Sequence, residues 1–492
     1  MHKHPKFKKA LFAVALGLCS MSVVAATENT AATATIVLPQ PTALIATGNL
    51  AEAKTTSAAP TPTPTPTPAP AQVTNTPAPA ANTTTQVQSN AIPTAAQIQT
   101  ATAAPTPAAM PMPTPVPKPG GGRAAASTGP TIVPVPPEVQ AKAYVLIDAD
   151  SGYVVAQKNA DSKMAPASLT KLMTMFVISG ALENNRIHLT DPVLISENAW
   201  RTGGSRMFVQ VGTQVPVQDL INGIVVVSGN DACVAMAEHV AGSESSFVDL
   251  MNKTAAVLGM QNTHYADATG LPDPQNYTTP IDLSKLTRAI IYTYPQDYQW
   301  YSQKWMTYNN IRQPNRNLLL WRDPTVDGLK TGHTDDAGYC LVASAKRQNM
   351  RLIAVIMGDT SAHQRATDAL ALLNYGYRFY ETHQLYAKNT KVTAMRVWFG
   401  KYKETPLGVA QNFYVTIPVG QYNQLKGGIE VNPEVNAPIV KGQSYGNLEI
   451  RLNDQLIATQ PMIALENNPM ANVFSRLWDH VLIKVNNWFH RS

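Results

Sequence analysis

Cysteine is nearly missing from this chain: Cys19, Cys233 and Cys340 are all that its 492 residues hold. If Cys19 is lost with a leader, the two that remain make no disulfide framework. An exported compartment would permit a bridge between them. Buried cysteine behaves as a small hydrophobe, so Cys233 and Cys340 are expected as two packed thiols. Charge is scarce too. Only 14% of the residues are charged, and the net charge of +6 sits largely at the ends. Lys3, Lys6, Lys8 and Lys9 supply one end, and Arg476, Lys484 and Arg491 the other. No dense Lys/Arg cluster is interleaved with aromatics, which argues against a nucleic-acid partner. Comfortable membrane spans are also lacking. Ala10 to Leu18 is too short, and charges interrupt the C-terminal apolar stretch.

What is there divides into blocks. Residues 1–26 have the form of a secretory signal: a basic start, the Ala10–Leu18 apolar run, and small residues for cleavage after Ala25 or Ala26. Cys19 raises lipidation as an alternative, but Leu18 before it is larger than that processing usually accepts. Residues 27–135 are rich in Pro, Ala and Thr, with a short Thr-Pro repeat over 61–68. No Asp, Glu, Lys or Arg occurs between Lys54 and Lys118. Such a composition buries too little apolar surface to offset ordering entropy, so a disordered tether is expected. Contact with the cell wall or a glycosylated stalk is its functional alternative.

From residue 139 to 386 the pattern is that of a mixed α/β domain. Ala143–Ile147 and Tyr153–Gln157 flank a turn and predict a hairpin. Helical spacing follows Pro166, recurs over 217–227, 245–258 and 280–292, and returns over 365–380. Asn230 or Asp231 is expected to cap a helix through Val240. Residues 327–333, 339–345 and 351–357 have the pattern of successive strands. Residues 387–464 predict a small all-β domain from short runs separated by turns. Residues 469–492 predict an amphipathic helix carrying Phe474, Trp478 and Phe489. An interfacial, membrane-anchoring helix is the sharper reading, and a helix docked on the β domain the plainer one.

The chemistry starts at Ser168 and Lys171. Residues three apart share a helix face, so the two side chains are neighbours. A serine hydroxyl needs an adjacent base, and a lysine amine serves when burial and nearby cations lower its pKa. One Ser-x-x-Lys pair means little by itself. Two further motifs follow in order: Ser228-Gly229-Asn230 after an apolar run, and Lys330-Thr331-Gly332 in a predicted strand. The trio is the signature of penicillin-recognising serine enzymes.

The segments 167–174 (ASLTKLMT), 227–235 (VSGNDACVA) and 326–334 (VDGLKTGHT) closely resemble those of serine-type D-alanyl-D-alanine carboxypeptidases. These are low-molecular-mass penicillin-binding proteins of Gram-negative bacteria. The resemblance runs from about Val139 to the C-terminus and leaves out the Pro/Thr-rich segment. It implies a serine β-lactamase/transpeptidase-like catalytic domain, with peptidoglycan stem peptides and β-lactam antibiotics as partners. It implies no metal and no cofactor. By the same resemblance Ser168 is the nucleophile and Lys171 its base, and Ser228 relays a proton. Asn230 holds the substrate amide and Lys171. Lys330 and Thr331 bind the substrate's terminal carboxylate. The backbone of His333, after Gly332, joins that of Ser168 in an oxyanion hole. Arg316 and Arg365 match arginines that the family places near the pocket. The implied location is the periplasm, with peripheral attachment to the inner membrane. A class A β-lactamase fits less well, because no Glu-x-x-Leu-Asn lies between Asn230 and Lys330 and the middle motif is Ser-Gly-Asn. An endopeptidase with the same chemistry stays open. A wall-binding scaffold without turnover is the non-enzymatic alternative.

Overall fold

The structure is a computed structural model that describes residues 32–36, 38–39, 133–432 and 435–489. The expected signal segment and nearly all of the Pro/Ala/Thr-rich stretch lie outside the described residues. In chain order the first element is strand β1 (Ala32–Ile36), which joins the second domain.

In the first domain five strands make one antiparallel sheet: β2 (Ala143–Asp148), β3 (Val154–Lys158), β4 (Val326–Thr334), β5 (Gly338–Arg347) and β6 (Met350–Asp359). Their spatial order is β3-β2-β6-β5-β4, so the two edges come from distant parts of the chain. Side chains alternate along a strand. Val145, Ile147, Ile353 and Val355 therefore face one core, and Leu146, Leu352, Ala354 and Ile356 the other. Over the first face lie helices α1 (Lys171–Glu183), α2 (Asn230–Ala241), α3 (Glu244–Val257) and α4 (Pro280–Thr293). Over the second lies α5 (Ala362–Phe379). With both faces covered, Leu352 to Met357 forms a continuous buried apolar run rather than an alternating one.

Helix starts follow local chemistry. Ser243, Thr279 and Ser361 each accept a backbone N–H from the residue three positions on, capping α3, α4 and α5. Neither Asn230 nor Asp231 caps α2. Gly229 holds that position without a side-chain bond, because both polar side chains are spent elsewhere. The Asp231 carboxylate takes the backbone N–H groups of Met207, Phe208 and Val209, fixing the loop ahead of the helix.

The second domain starts at Tyr380 rather than 387. Backbone turns extended directly at the end of α5, and Tyr380 already pairs with Pro418. Its strands are β7 (Tyr380–Tyr386), β8 (Lys391–Trp398), β9 (Glu404–Val409), β10 (Phe413–Pro418), β11 (Leu425–Val431), β12 (Val435–Asn436), β13 (Ser444–Leu452) and β14 (Gln455–Ala464). One sheet runs β1-β11-β13-β14-β9-β8-β12, and β7 pairs with β10. Val397, Leu407, Val409, Leu448 and Ile450 fill its core. Polar side chains join the domains: Thr382 donates to the buried Asp148 at 2.8 Å, and Ser151 and Thr416 share a hydrogen bond of 2.6 Å.

Two parts of the 27–135 stretch depart from a plain tether. Residues 32–36 form β1, because the alternation Ala-Thr-Ala-Thr-Ile suits an edge strand and Ile36 packs on the second core. Val133 packs on the first domain and the Pro134 carbonyl accepts the Tyr375 hydroxyl at 2.7 Å, so order begins before residue 139.

The last helix, α6 (Val473–Phe489), is docked through one side. Asp479 is fully buried and accepts the Phe399 backbone N–H at 2.8 Å and the Lys403 ammonium at 2.5 Å. Val473, Phe474, Leu477 and Trp478 are exposed. Among the described residues no helix is long and apolar enough to cross a membrane.

Candidate active site

Ser168 sits in a single 3₁₀ turn, Ala167–Thr170, that runs into α1 at Lys171. The sequence placed it inside the helix. The turn still puts the two side chains on one side, with Lys171 Nζ 3.0 Å from Ser168 Oγ. Lys171 is buried and also donates to Asn230 Oδ1 at 2.7 Å and to the Thr269 carbonyl at 2.5 Å. Burial lowers its pKa, and the positive charge of Arg316 adds to that, against Cys233, Asp267 and Asp231, which act the other way. The amine is therefore easier to deprotonate than an ordinary lysine, and it is aimed at a hydroxyl.

The middle motif comes off a π-helical turn, Gly223–Val227, that ends on Ser228 in the left-handed region at φ 63°. A serine held there is strained by about 1 kcal/mol or more, and such strain collects at functional sites. Asn230 opens α2, and its amide bridges two segments by accepting from Lys171 and donating to the Gly203 carbonyl at 2.7 Å. Lys330, on β4, donates to Ser228 Oγ at 2.9 Å. Its pKa falls well below the usual lysine value because it is buried and because Lys171 and Arg316 repel its charge.

Strand β4 lies against the serine turn. A β-carbon on Gly332 would come within 3.3 Å of the Ser168 nitrogen and 3.2 Å of the Pro166 oxygen, which is why only hydrogen fits there comfortably. Thr331 is buried, and His333 is exposed beside the turn with its ring 4.0 Å from that of Tyr339. The two arginines stand differently. Arg316 reaches across to Ser205 Oγ at 2.6 Å, on the loop whose carbonyl receives the Asn230 N–H. Arg365 is buried behind β4 and donates to the carbonyls of Gly332 and Cys340, so it braces the strand from the back. Cys233 and Cys340 are free, buried thiols. Burial pushes the Cys233 thiol up to about 12, which keeps it an inert neighbour of the two lysines.

The sequence marked 265–274 only as a loop, yet it supplies the third acceptor for Lys171. Asp267 folds it: one carboxylate oxygen takes the Thr269 N–H, the Thr269 hydroxyl and the Gly270 N–H, each at 2.6 Å. The other takes the Asn276 amide at 2.8 Å. That pins the Thr269 carbonyl under the lysine. The available signal was Asp-x-Thr-Gly, a turn chemistry in which a short carboxylate bonds the backbone two and three residues on. Beside the serine turn opens a cleft of about 400 Å³, with Pro166, Ala167, Gly270, Leu271 and Thr334 among its lining residues.

A nucleophile with a depressed-pKa lysine, a second serine–lysine pair and a strand edge alongside is equipment for acyl transfer. The D-alanyl-D-alanine carboxypeptidase family profile matches residues 131–361, and that of the penicillin-binding protein 5 C-terminal domain matches 380–469. The chain belongs to the D-alanyl-D-alanine carboxypeptidase family. It is 43% identical over 361 residues to the D-alanyl-D-alanine carboxypeptidase DacC of Escherichia coli strain K12, covering 72% of this chain and 90% of that one. It is 40% identical to DacA of Haemophilus influenzae over 360 residues, or 72% of this chain and 92% of that one. Among solved structures, penicillin binding protein 5 from Haemophilus influenzae superposes with a TM-score of 0.66 at 40% identity, covering 68% of this chain and 99% of that one. Membership makes the protein a serine peptidase of the hydrolase class, with the mixed α/β catalytic domain and all-β C-terminal domain that the motifs implied.

Proposed function

We propose that the protein removes the terminal D-alanine from peptidoglycan stem pentapeptides through an acyl-enzyme on Ser168. The observation that carries this reading is the set of three bonds from Lys171, to Ser168, Asn230 and Thr269. In the neutral form the two N–H bonds of the buried amine go to Asn230 Oδ1 and the Thr269 carbonyl, which aims its lone pair at the Ser168 hydroxyl, 3.0 Å away. Ser168 Oγ attacks the carbonyl between the two terminal D-alanines as Lys171 accepts its proton. The backbone N–H groups of Ser168 and His333 hold the oxyanion. The C–N bond then breaks: Ser228, polarised by Lys330, gives its hydroxyl proton to the departing amine and takes in its place the proton that Lys171 had accepted, which returns Lys171 to the neutral form. Thr331 and Lys330 take the substrate's terminal carboxylate, and Arg316 adds positive charge at the rim. Arg365 sets the position of Gly332 rather than touching substrate. Water, activated by the same lysine, hydrolyses the ester and frees the serine. A β-lactam acylates the same Ser168 and leaves slowly.

The protein works in the periplasm, exported by residues 1–26, and α6 attaches it to the inner-membrane surface. The exposed Phe474, Leu477 and Trp478 support that attachment. The deciding experiment measures D-alanine release from a peptide ending in D-Ala-D-Ala. Wild type releases D-alanine and is labelled by penicillin. Ser168→Ala does neither, and release that survives in Ser168→Ala would remove Ser168 from its role.

A further inference from the structure

The sheet of the second domain ends on a strand from the far side of the sequence. All five residues of β1 pair antiparallel with β11, from Ala32 opposite Val431 to Ile36 opposite Gly427. Three observations make this a fitted contact. Gly427 leaves a slot: a β-carbon there would lie 2.6 Å from Ile36 and 2.8 Å from Leu38. Ile36 and Leu38, two residues apart and so on one face of an extended chain, both pack on the core that holds Ile429, Leu448 and Ile450. Tyr422 donates its hydroxyl to the Pro39 carbonyl, holding the chain where it leaves the sheet.

We propose that the outer edge of β11 is a strand-accepting groove whose built-in occupant is the segment 32–39 of the same chain. The groove recognises an extended segment with two apolar side chains at alternate positions. Its occupation covers a row of β11 backbone groups that would otherwise stand open to foreign strands.

Cysteine trapping in the full-length protein tests the latch. Thr33 lies opposite Glu430, which is exposed, and directly opposed strand residues have a spacing that a disulfide can span. Thr33→Cys with Glu430→Cys should link within one chain under native oxidising conditions, with the linked peptide identified by mass spectrometry. Thr33→Cys with Lys426→Cys, about 13 Å out of register, should not. Adding Ile36→Asp and Leu38→Asp to the first pair should slow its linking at least about tenfold, because both apolar anchors are lost. These changes sit on the latch, so penicillin labelling of Ser168 serves as a check that the catalytic domain is folded. Equal linking of the in-register and offset pairs overturns the proposal. So does a link found only between two chains, which would make the occupant the segment of a second copy.

Discussion

Gly270 stands so close to Ala167 that a β-carbon on it would meet the Ala167 carbonyl oxygen at 1.8 Å. The two residues belong to the loop that carries the Thr269 carbonyl and to the turn that carries Ser168. Gly270 also has φ +82°, a region other residues rarely adopt. The Gly270→Ala change therefore strains the backbone and pushes the serine turn away from its lysine. Stability should fall by about 2 kcal/mol or more, and penicillin acylation should slow by more than the drop in folded fraction explains. Thermal unfolding together with acylation kinetics below the transition separates the two. Acylation at the wild-type rate in a folded Gly270→Ala protein would show that the contact does not position Ser168.

The lysine base makes a prediction with a sign. Burial disfavours the charged form of Lys171, so its folded pKa lies below the ordinary value of 10.5. In the proposed mechanism the neutral amine is the reactive form. Acylation kcat/KM should accordingly rise with pH along an acid limb that ends below 10.5. Arg316 helps to lower that pKa, so Arg316→Gln should move the limb to higher pH. A Lys171→Arg variant cannot present a neutral base at any working pH, and its acylation should fall at least about a thousandfold. A limb unmoved by Arg316→Gln would mean that the group titrating there is not Lys171.

The motif side chains were legible because each belongs to a short local pattern: Ser168 with Lys171, Ser228 with Asn230, Lys330 with Thr331. The sheet strands were legible for the same reason, through runs such as Leu352 to Met357. What stayed hidden was where particular backbone groups and buried side chains find their partners. The Thr269 carbonyl has no residue-type signal, and its role follows only from how Asp267 folds the loop beneath Lys171. Asp231 resembled a helix cap by position, yet tertiary contact with the 207–209 amides outweighed the local option. Arg365 was legible as part of the site and not as its back wall. Strand β1 was masked by its composition, because five small and β-branched residues beside a long Pro/Ala/Thr-rich stretch share that stretch's texture.

A carboxyl pair outside the site sets a pH dependence of stability. Asp359 and Asp368 are both buried, at the end of β6 and on α5. Burial raises the Asp359 pKa to about 6, and the Asp368 carboxyl adds to the rise, against the bonds from Thr360. A raised folded pKa means that protonated Asp359 stabilises the fold. That contribution is complete below about pH 4, the unfolded value, and is lost as pH climbs through 6. Wild-type Tm should therefore drop between pH 5 and 7.5 relative to Asp359→Asn, which keeps a neutral side chain throughout. A difference of roughly 3 °C or more is expected. Parallel Tm curves for the two proteins would show that Asp359 does not titrate in that window.

The C-terminal helix has one docked face and one exposed face, and the proposed attachment uses the second. Asp479 fixes one face to the second domain, through Phe399 and Lys403. Phe474 and Trp478 stand exposed on the other, at 85% and 62%. Replacing both aromatics by serine removes the apolar area that an interfacial helix inserts, and each such side chain is worth about 2 kcal/mol when buried. Binding to vesicles of mixed zwitterionic and anionic lipid should weaken more than tenfold, while D-alanine release from a soluble peptide is unchanged. The Asp479→Ala variant should act in the opposite place. It leaves the Phe399 N–H without its acceptor, at a cost of about 1–3 kcal/mol to the docking of the helix. The apolar face is untouched, so vesicle binding should persist while the helix becomes accessible to protease in the unbound protein. If the double aromatic variant binds vesicles as wild type does, α6 is a docked helix only, and the proposed attachment through its exposed face falls.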